Sequence, residues 1–117
     1  DDAISYAACH TAHQLGARAV IAYTASGSTA RRVSKYRPRT PILAITAIES
    51  TRRQLSLSWG VTALKVSEQK LIVSMFTEAA DAGRKCGLCS AGDLVVVTAG
   101  LPMGKSGTTN MLKVEKI

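Results

Sequence analysis

The sequence predicts an α/β fold, a three-layer α/β/α sandwich around a sheet of about five mostly parallel strands with an antiparallel last edge strand. Short continuous apolar runs alternate along the chain with segments of helical spacing. Apolar residues make up 46% of the chain and aromatic residues 4%, so the core must be built from Ala, Val, Leu and Ile. A chain of 117 residues has room for one modest core. We therefore expect residues 1–117 to form a single domain.

The amino-terminal segment predicts a helix followed by a buried strand. Apolar and small residues recur at close to helical spacing from Ala3 to Leu15, and Gly16 stands where a C-cap glycine belongs. Residues 19–23 form a continuous apolar run, which is typical of a strand covered on both faces.

The middle of the chain repeats this alternation, which indicates right-handed crossovers and a parallel sheet. The predicted elements are a helix Ala30–Tyr36, a strand Pro41–Thr46, a helix Glu49–Ser58, a strand Gly60–Val66, and a helix capped by Ser67 that extends to about Gly83 or Cys86.

The carboxy-terminal segment differs from the repeats. Residues 93–98 predict another buried strand, and a loop from Gly100 to Thr109 follows it. Residues 110–117 are too few for a helix and a further strand, and Leu112 and Val114 alternate with charged residues. We therefore expect an edge strand that returns antiparallel to its neighbour.

The net charge of +7 favours an anionic partner. Aromatic residues make up only 4% of the chain, so phosphorylated small molecules rank above nucleic acid as partners. A solvated basic face without any ligand is the alternative.

The sequence also predicts the compartment. No apolar run approaches the length of a membrane span, and the acidic start, Asp1-Asp2, differs from a signal peptide. An odd number of cysteines, three, argues against a disulfide framework. We expect a cytoplasmic protein with no membrane partner.

The strongest local motif is Thr-Ala-Ser-Gly-Ser-Thr at residues 24–29, between a buried strand and a helix. Its four hydroxyls and its backbone N–H groups would converge where the helix dipole is positive, which suits a phosphate monoester. Gly27 lets the backbone approach the anion. An ordinary turn with Ser28 as N-cap explains the same composition equally well.

Residues 100–107, Gly-Leu-Pro-Met-Gly-Lys-Ser-Gly, have only a superficial likeness to a nucleotide-binding P-loop. That motif requires glycine where this chain has Ala99, and a helix where a terminal strand is predicted. A hairpin loop is the simpler interpretation, although Lys105 can still close over an anion.

The cysteines and histidines do not predict a metal or redox centre. Cys86 and Cys89 have redox or half-zinc-site spacing, and Cys9, His10 and His13 are the residues that would complete a metal set. However, a thioredoxin-like motif belongs at the start of a helix, and this one follows a helix end. Acidic residues are scattered, so we predict no catalytic residues and no metal site.

Four segments together resemble one family: residues 23–31, 33–38, 57–61, and 92–100 continuing to 107–110. In order and spacing they are similar to the carboxy-terminal domain of pyruvate kinases, over nearly the whole chain. The family's enzyme transfers phosphate from phosphoenolpyruvate to ADP in a β/α barrel with Mg²⁺ and usually K⁺. This chain has no such barrel, so the resemblance implies no catalysis and no cofactor in the chain alone.

The resemblance implies a regulatory domain that binds a sugar-phosphate or nucleotide effector and contributes to subunit contacts in a tetramer. Its expected partners are the effector, the rest of a pyruvate kinase and further copies. By resemblance, the loop that grips the effector phosphate consists of Thr24, Ala25, Ser26, Gly27, Ser28 and Thr29. By resemblance, the loop that closes over the effector contributes Gly100, Pro102, Gly104, Lys105, Ser106 and Gly107.

One departure bears on the effector. Family members that respond to fructose 1,6-bisphosphate place a Trp and an Arg against the second phosphate, and neither stands at a matching position here. Arg84 is the only arginine between Phe76 and Gly107, although Lys105 is an alternative contact. A monophosphate such as AMP or ribose 5-phosphate is at least as plausible. The alternative function is a structural oligomerisation module without a ligand, and we expect no independent ATP hydrolysis.

Overall fold

The computed structural model describes residues 2–66, 72–100 and 109–117. The elements are α1 (Asp2–Leu15), β1 (Ala19–Tyr23), α2 (Ser28–Lys35), β2 (Ile42–Thr46), α3 (Glu49–Leu55), β3 (Val61–Lys65), α4 (Ile72–Lys85), β4 (Leu94–Gly100) and β5 (Thr109–Lys116). The predicted Ser67 cap and the start of its helix lie outside the described residues.

The five strands form one sheet in the order β3-β2-β1-β4-β5. β1 pairs in parallel with β2 and with β4, and β2 pairs in parallel with β3. β5 pairs antiparallel with β4, from Leu94 opposite Lys116 to Gly100 opposite Thr109. The predicted fold class, including the antiparallel last edge strand, is confirmed.

Helices cover both faces of the sheet, because alternate strand residues point to opposite sides. Val20 and Ile42 face α1 and α2 in one cluster, which includes Ala8 and Val33. Ile21 and Leu43 face α4 on the other side, in a cluster that includes Ala79. α3 joins the first face through Leu55. The core is therefore aliphatic and lies in two layers on either side of the sheet.

Three helix ends show how accurately apolar spacing in the sequence predicts the limits of a helix. α1 ends as predicted, with Gly16 at φ 64°. α2 begins at Ser28, two residues before the predicted Ala30, because hydroxyl residues enter its first turn. α3 ends at Leu55 rather than Ser58, and the Ser58 amide donates to the Leu55 carbonyl in a turn. Within the described parts of the chain, none of the helices combines the length and the apolar character that a membrane span requires.

Candidate functional site

The candidate site lies at the carboxyl ends of β1 and β4, which are adjacent in the sheet. Tyr23 at the end of β1 pairs with Ala99 near the end of β4. The chain leaves β1 towards β2 on one side and leaves β4 towards β5 on the other. Connections that diverge from neighbouring parallel strands leave a crevice between them, and open α/β sheets bind ligands at such switch points. The strand order therefore places the loop after β1 at the edge of this crevice.

The loop that follows β1 is closed by its own side chains. The Gly27 amide donates to Thr24 Oγ1 at 2.9 Å, and the Ser28 amide donates to Ser26 Oγ at 3.3 Å. The Thr24 amide donates to the Ile45 carbonyl of β2 at 3.0 Å, which anchors the loop to the sheet. Thr24 is buried and Ser26 is half-buried. Two hydroxyls thus shape the loop backbone.

Gly27 is the N-cap of α2 and makes the sharp entry into that helix. It has φ 91°, a conformation that side-chain-bearing residues rarely adopt, and as a glycine it has no side chain with which to cap the helix. The first intrahelical bond runs from the Arg31 amide to the Gly27 carbonyl, so the amides before Arg31 form the positive end of the helix. The first turn, which includes Ser28 and Thr29, contains no acidic residue. The head of α2 therefore has the polarity that an anion requires.

α3 supports the loop from the neighbouring strand connection. Thr51 Oγ1 donates to the Ala25 carbonyl at 2.8 Å, and Thr51 is buried. The Leu55 side chain lies close to Gly27, with Cδ2 3.2 Å from the position that a Cβ would occupy there. Both contacts hold the loop in one conformation before any ligand arrives.

Arg31 supplies positive charge at the loop. Its Nη2 donates to the Ser26 carbonyl at 3.1 Å, and its Nη1 lies 2.6 Å from the position that a Cβ on Gly27 would occupy. Arg31 is exposed. A guanidinium carries five N–H donors in a planar fork, so this bond leaves it further donors for an anion.

A second charged group stands at the start of α3. Glu49 Oε2 accepts from Arg52 Nη2 at 2.6 Å and from Arg53 Nε at 3.1 Å. These bonds, led by that from Arg52, lower the pKa of Glu49 to about 2. The Glu49 carboxylate in turn raises the pKa of Arg52. The side chain of Glu49 is 39% exposed, so solvent screens this pair and keeps its contribution to stability small.

The family described as "Pyruvate kinase, alpha/beta domain" matches residues 2–115. The pyruvate kinase of Staphylococcus aureus (strain USA300) is 42% identical over 116 residues, which are 99% of this chain and 20% of that protein. The pyruvate kinase of Staphylococcus epidermidis is 41% identical over 116 residues, which are again 99% of this chain and 20% of that protein.

This chain belongs to the pyruvate kinase alpha/beta domain family. The resemblance seen in the sequence is thereby confirmed. The domain spans about a fifth of the length of the curated relatives it matches.

The pyruvate kinase domain brings the first set of predicted site residues together. Residues 24–27 form the loop, and Ser28 and Thr29 open α2. Of the second set, Gly100 ends β4 beside this loop, and Pro102, Gly104, Lys105, Ser106 and Gly107 lie outside the described residues. Sequence reasoning missed Thr51 and Arg31. Thr51 carried no local signal because it lies 26 residues from its partner. Arg31 was visible in the sequence as a cation one turn into the helix that follows the loop.

The two histidines and Cys9 each have a separate partner. His10 stacks on Tyr6, and His13 Nε2 accepts from the Arg39 amide at 3.2 Å. Cys9 is buried, and its thiol donates to the Val33 carbonyl. Within residues 2–66, 72–100 and 109–117, no three His, Cys, Asp or Glu side chains form a group that could hold a metal ion.

We expect Glu49→Gln to change how stability depends on pH in acid. The pKa of Glu49 lies at about 2 in the folded domain, below its ordinary value of 4.5. Its stabilisation is therefore complete above the ordinary value and is lost as the pH falls towards the folded value. Urea unfolding should find the wild type slightly more stable than Glu49→Gln at neutral pH, and this difference should shrink as the pH falls from 4.5 to about 2. In an Arg52→Ala background the difference should shrink, and a difference that is constant with pH would contradict the assignment.

Proposed function

We propose that this chain is the regulatory carboxy-terminal domain of a pyruvate kinase and binds the phosphate group of a small effector, a sugar phosphate or a nucleoside monophosphate. The binding residues are those of the loop and the first turn of α2: Thr24, Ala25, Ser26, Gly27, Ser28 and Thr29. The observation that carries this proposal is the position of this hydroxyl-bearing loop, which joins a helix N-terminus to the switch point of a parallel sheet.

The charges around the loop support an anionic ligand. The first turn of α2 contains no acid, and Arg31 lies against the loop with donors to spare. The loop is also preorganised, since Thr51 and the sheet fix its backbone. A preorganised site does not have to be ordered when the ligand binds, which favours affinity. The segment from Pro102 to Gly107, with Lys105, is proposed to close over the effector.

The parent reaction is proposed to lie elsewhere in a longer protein. The relatives named pyruvate kinase are about five times as long as this chain. We propose that a phosphoenolpyruvate-to-ADP phosphotransferase, its Mg²⁺ and its K⁺ belong to the part of such a polypeptide that lies outside residues 1–117. The proposed setting is cytoplasmic.

A structural role in assembly has one observation in its favour. β5 is the last strand in the sheet order, so its outer edge has no strand beside it within the described residues. Val114 on this strand is 37% exposed. An exposed edge can pair with the same edge of a second copy across a two-fold axis. Light scattering that finds only monomers at high concentration would reject this role.

The effector proposal is tested by calorimetric titration with ribose 5-phosphate, AMP, fructose 1,6-bisphosphate and unphosphorylated ribose. We expect Ser28→Asp to weaken binding of the phosphorylated ligands at least about tenfold, or about 1.4 kcal/mol, because it places a carboxylate where the phosphate binds. The helix itself should tolerate the change, since an acidic residue in the first turn complements the dipole.

Gln54→Glu is the matched control for this experiment. It makes the same change of charge on an exposed residue near the opposite end of the neighbouring helix α3. Its affinity should equal that of the wild type. The proposal fails if no phosphorylated ligand binds, or if unphosphorylated ribose binds as well as ribose 5-phosphate. Equal affinities of the wild type and Ser28→Asp would place the phosphate elsewhere.

A further inference from the structure

Two cysteines lie together where α4 ends, at the amino edge of the sheet and away from the phosphate-binding loop. Cys86 follows the last residue of α4, and Gly87 at φ 77° turns the chain back so that Cys89 meets the same helix. The Cys86 thiol donates to the Gly83 carbonyl at 3.6 Å, and the Cys89 amide donates to the same oxygen at 3.4 Å. The Gly83 carbonyl thus accepts a hydrogen bond from each of the two cysteines.

Gly83 makes the space that Cys89 occupies. A Cβ at position 83 would stand 2.6 Å from Cys89 Sγ, which is closer than real Cβ contacts. Any residue larger than glycine would push this sulfur out of the helix groove. The Cys89 thiol is therefore held against the same residue whose carbonyl accepts from the Cys86 thiol.

The two thiols differ in their access to solvent. Cys89 is 4% exposed and belongs to the core cluster under α4, whereas Cys86 is half-buried and packs against that cluster. A soluble oxidant therefore reaches Cys86 first. Cys89 is the thiol that lies in position to react with the oxidised Cys86.

We propose that Cys86 and Cys89 form a reversible intramolecular disulfide when the protein meets a peroxide. The Cys86 thiolate attacks one peroxide oxygen, the O–O bond breaks, and Cys86 becomes a sulfenic acid while hydroxide leaves and takes up a proton. The Cys89 sulfur then attacks the Cys86 sulfur, and the S–O bond breaks to release water. Two thiols lose two electrons and two protons in total, and one peroxide becomes two waters.

The electrostatics of the pair agree with this order of events. Burial is the main cause that raises the pKa of Cys89, and a negative charge on Cys86 raises it further. Cys89 therefore stays protonated while Cys86 reacts, and it gives up its proton only as the disulfide forms. This order suits a resolving thiol, because a protonated sulfur is a poor nucleophile towards the peroxide itself.

The third cysteine provides an internal control. Cys9 lies on α1 in the core cluster on the opposite face of the sheet, and burial raises the pKa of its thiol. It is 5% exposed and donates to the Val33 carbonyl. Cys9 should therefore keep its free thiol while the other two react.

The experiment treats the folded, reduced chain with hydrogen peroxide, then denatures it, alkylates the remaining thiols and measures the intact mass. In a sample taken before alkylation, we expect the oxidised protein to be about 2 Da lighter than the reduced protein. The number of alkylated cysteines should fall from three to one, and dithiothreitol should restore all three. Cys9→Ser should show the same loss of mass.

Cys86→Ser and Cys89→Ser should abolish the loss of mass within the monomer. Cys89→Ser should instead leave a sulfenic acid on Cys86 that dimedone captures. Because Cys89 is buried, Cys89→Ala serves as a second variant with a smaller polar disturbance of the core. The proposal is overturned if the wild type keeps three alkylatable cysteines, gains oxygen without losing hydrogen, forms only disulfide-linked dimers, or loses the same mass in Cys86→Ser.

Discussion

Leu55→Ala is expected to lower the free energy of unfolding by about 2–5 kcal/mol, a large part of the total for a domain of this size. Leu55 is the last residue of α3 and its side chain is fully buried. Truncation to alanine removes an isopropyl group from this buried side chain. The cost is therefore the lost burial together with the cavity that remains.

The surroundings of Leu55 place the expected cost towards the upper part of that range. The buried residues packed around it are the alanines Ala22, Ala30 and Ala44. Alanine side chains have no rotamers that can swing into a cavity, so these three neighbours cannot fill the space left by truncation. Cavities that cannot collapse are the more costly ones.

Leu57→Ala is the matched control, because Leu57 is the same residue type two positions later and is 91% exposed. Its truncation should change the free energy of unfolding by no more than about 0.5 kcal/mol. Urea unfolding of both variants, with equal m-values, gives the comparison. Equal losses for Leu55→Ala and Leu57→Ala would show that Leu55 does not anchor α3 to the sheet.

The strands were the part of the fold that the sequence predicts best. Residues 19–23 are an apolar run bounded by polar and small residues, and β1 has those same bounds. A strand buried on both faces needs an unbroken run of apolar residues, so its length can be read directly. β5 returns antiparallel to β4 because the connection from Gly100 to Thr109 is too short for the helix of a parallel crossover.

The sequence predicted the loop of the candidate site but not the contacts that other parts of the chain make with this loop. Residues 24–29 stood out because of their hydroxyls, whereas the bond from Thr51 to Ala25 joins positions 26 residues apart. Its formation depends on the order β3-β2-β1-β4-β5, which puts α3 beside the loop. Strand order is set by packing of the whole chain, and local composition does not encode it.

Gly27→Ala is expected to lower the free energy of unfolding by about 2 kcal/mol. Gly27 has φ 91°, where a Cβ is strained by the backbone itself. A Cβ here would also approach Arg31 Nη1 to 2.6 Å and Leu55 Cδ2 to 3.2 Å. The guanidinium can swing away, but it then gives up its bond to the Ser26 carbonyl. Leu55 is fixed in the core and cannot yield without disturbing its neighbours.

Gly92→Ala separates the two causes, because Gly92 has the same φ of 91° and no atom within 4 Å of its would-be Cβ. It should cost only the backbone strain, about 1–2 kcal/mol. The additional loss in Gly27→Ala measures the crowding at the loop that precedes α2. The comparison is then repeated in an Arg31→Ala background. If the additional loss disappears, the guanidinium causes the crowding. If the additional loss persists, Leu55 causes it. If Gly27→Ala costs no more than Gly92→Ala in either background, the loop has room for a side chain, and the need for glycine at the head of α2 is conformational alone.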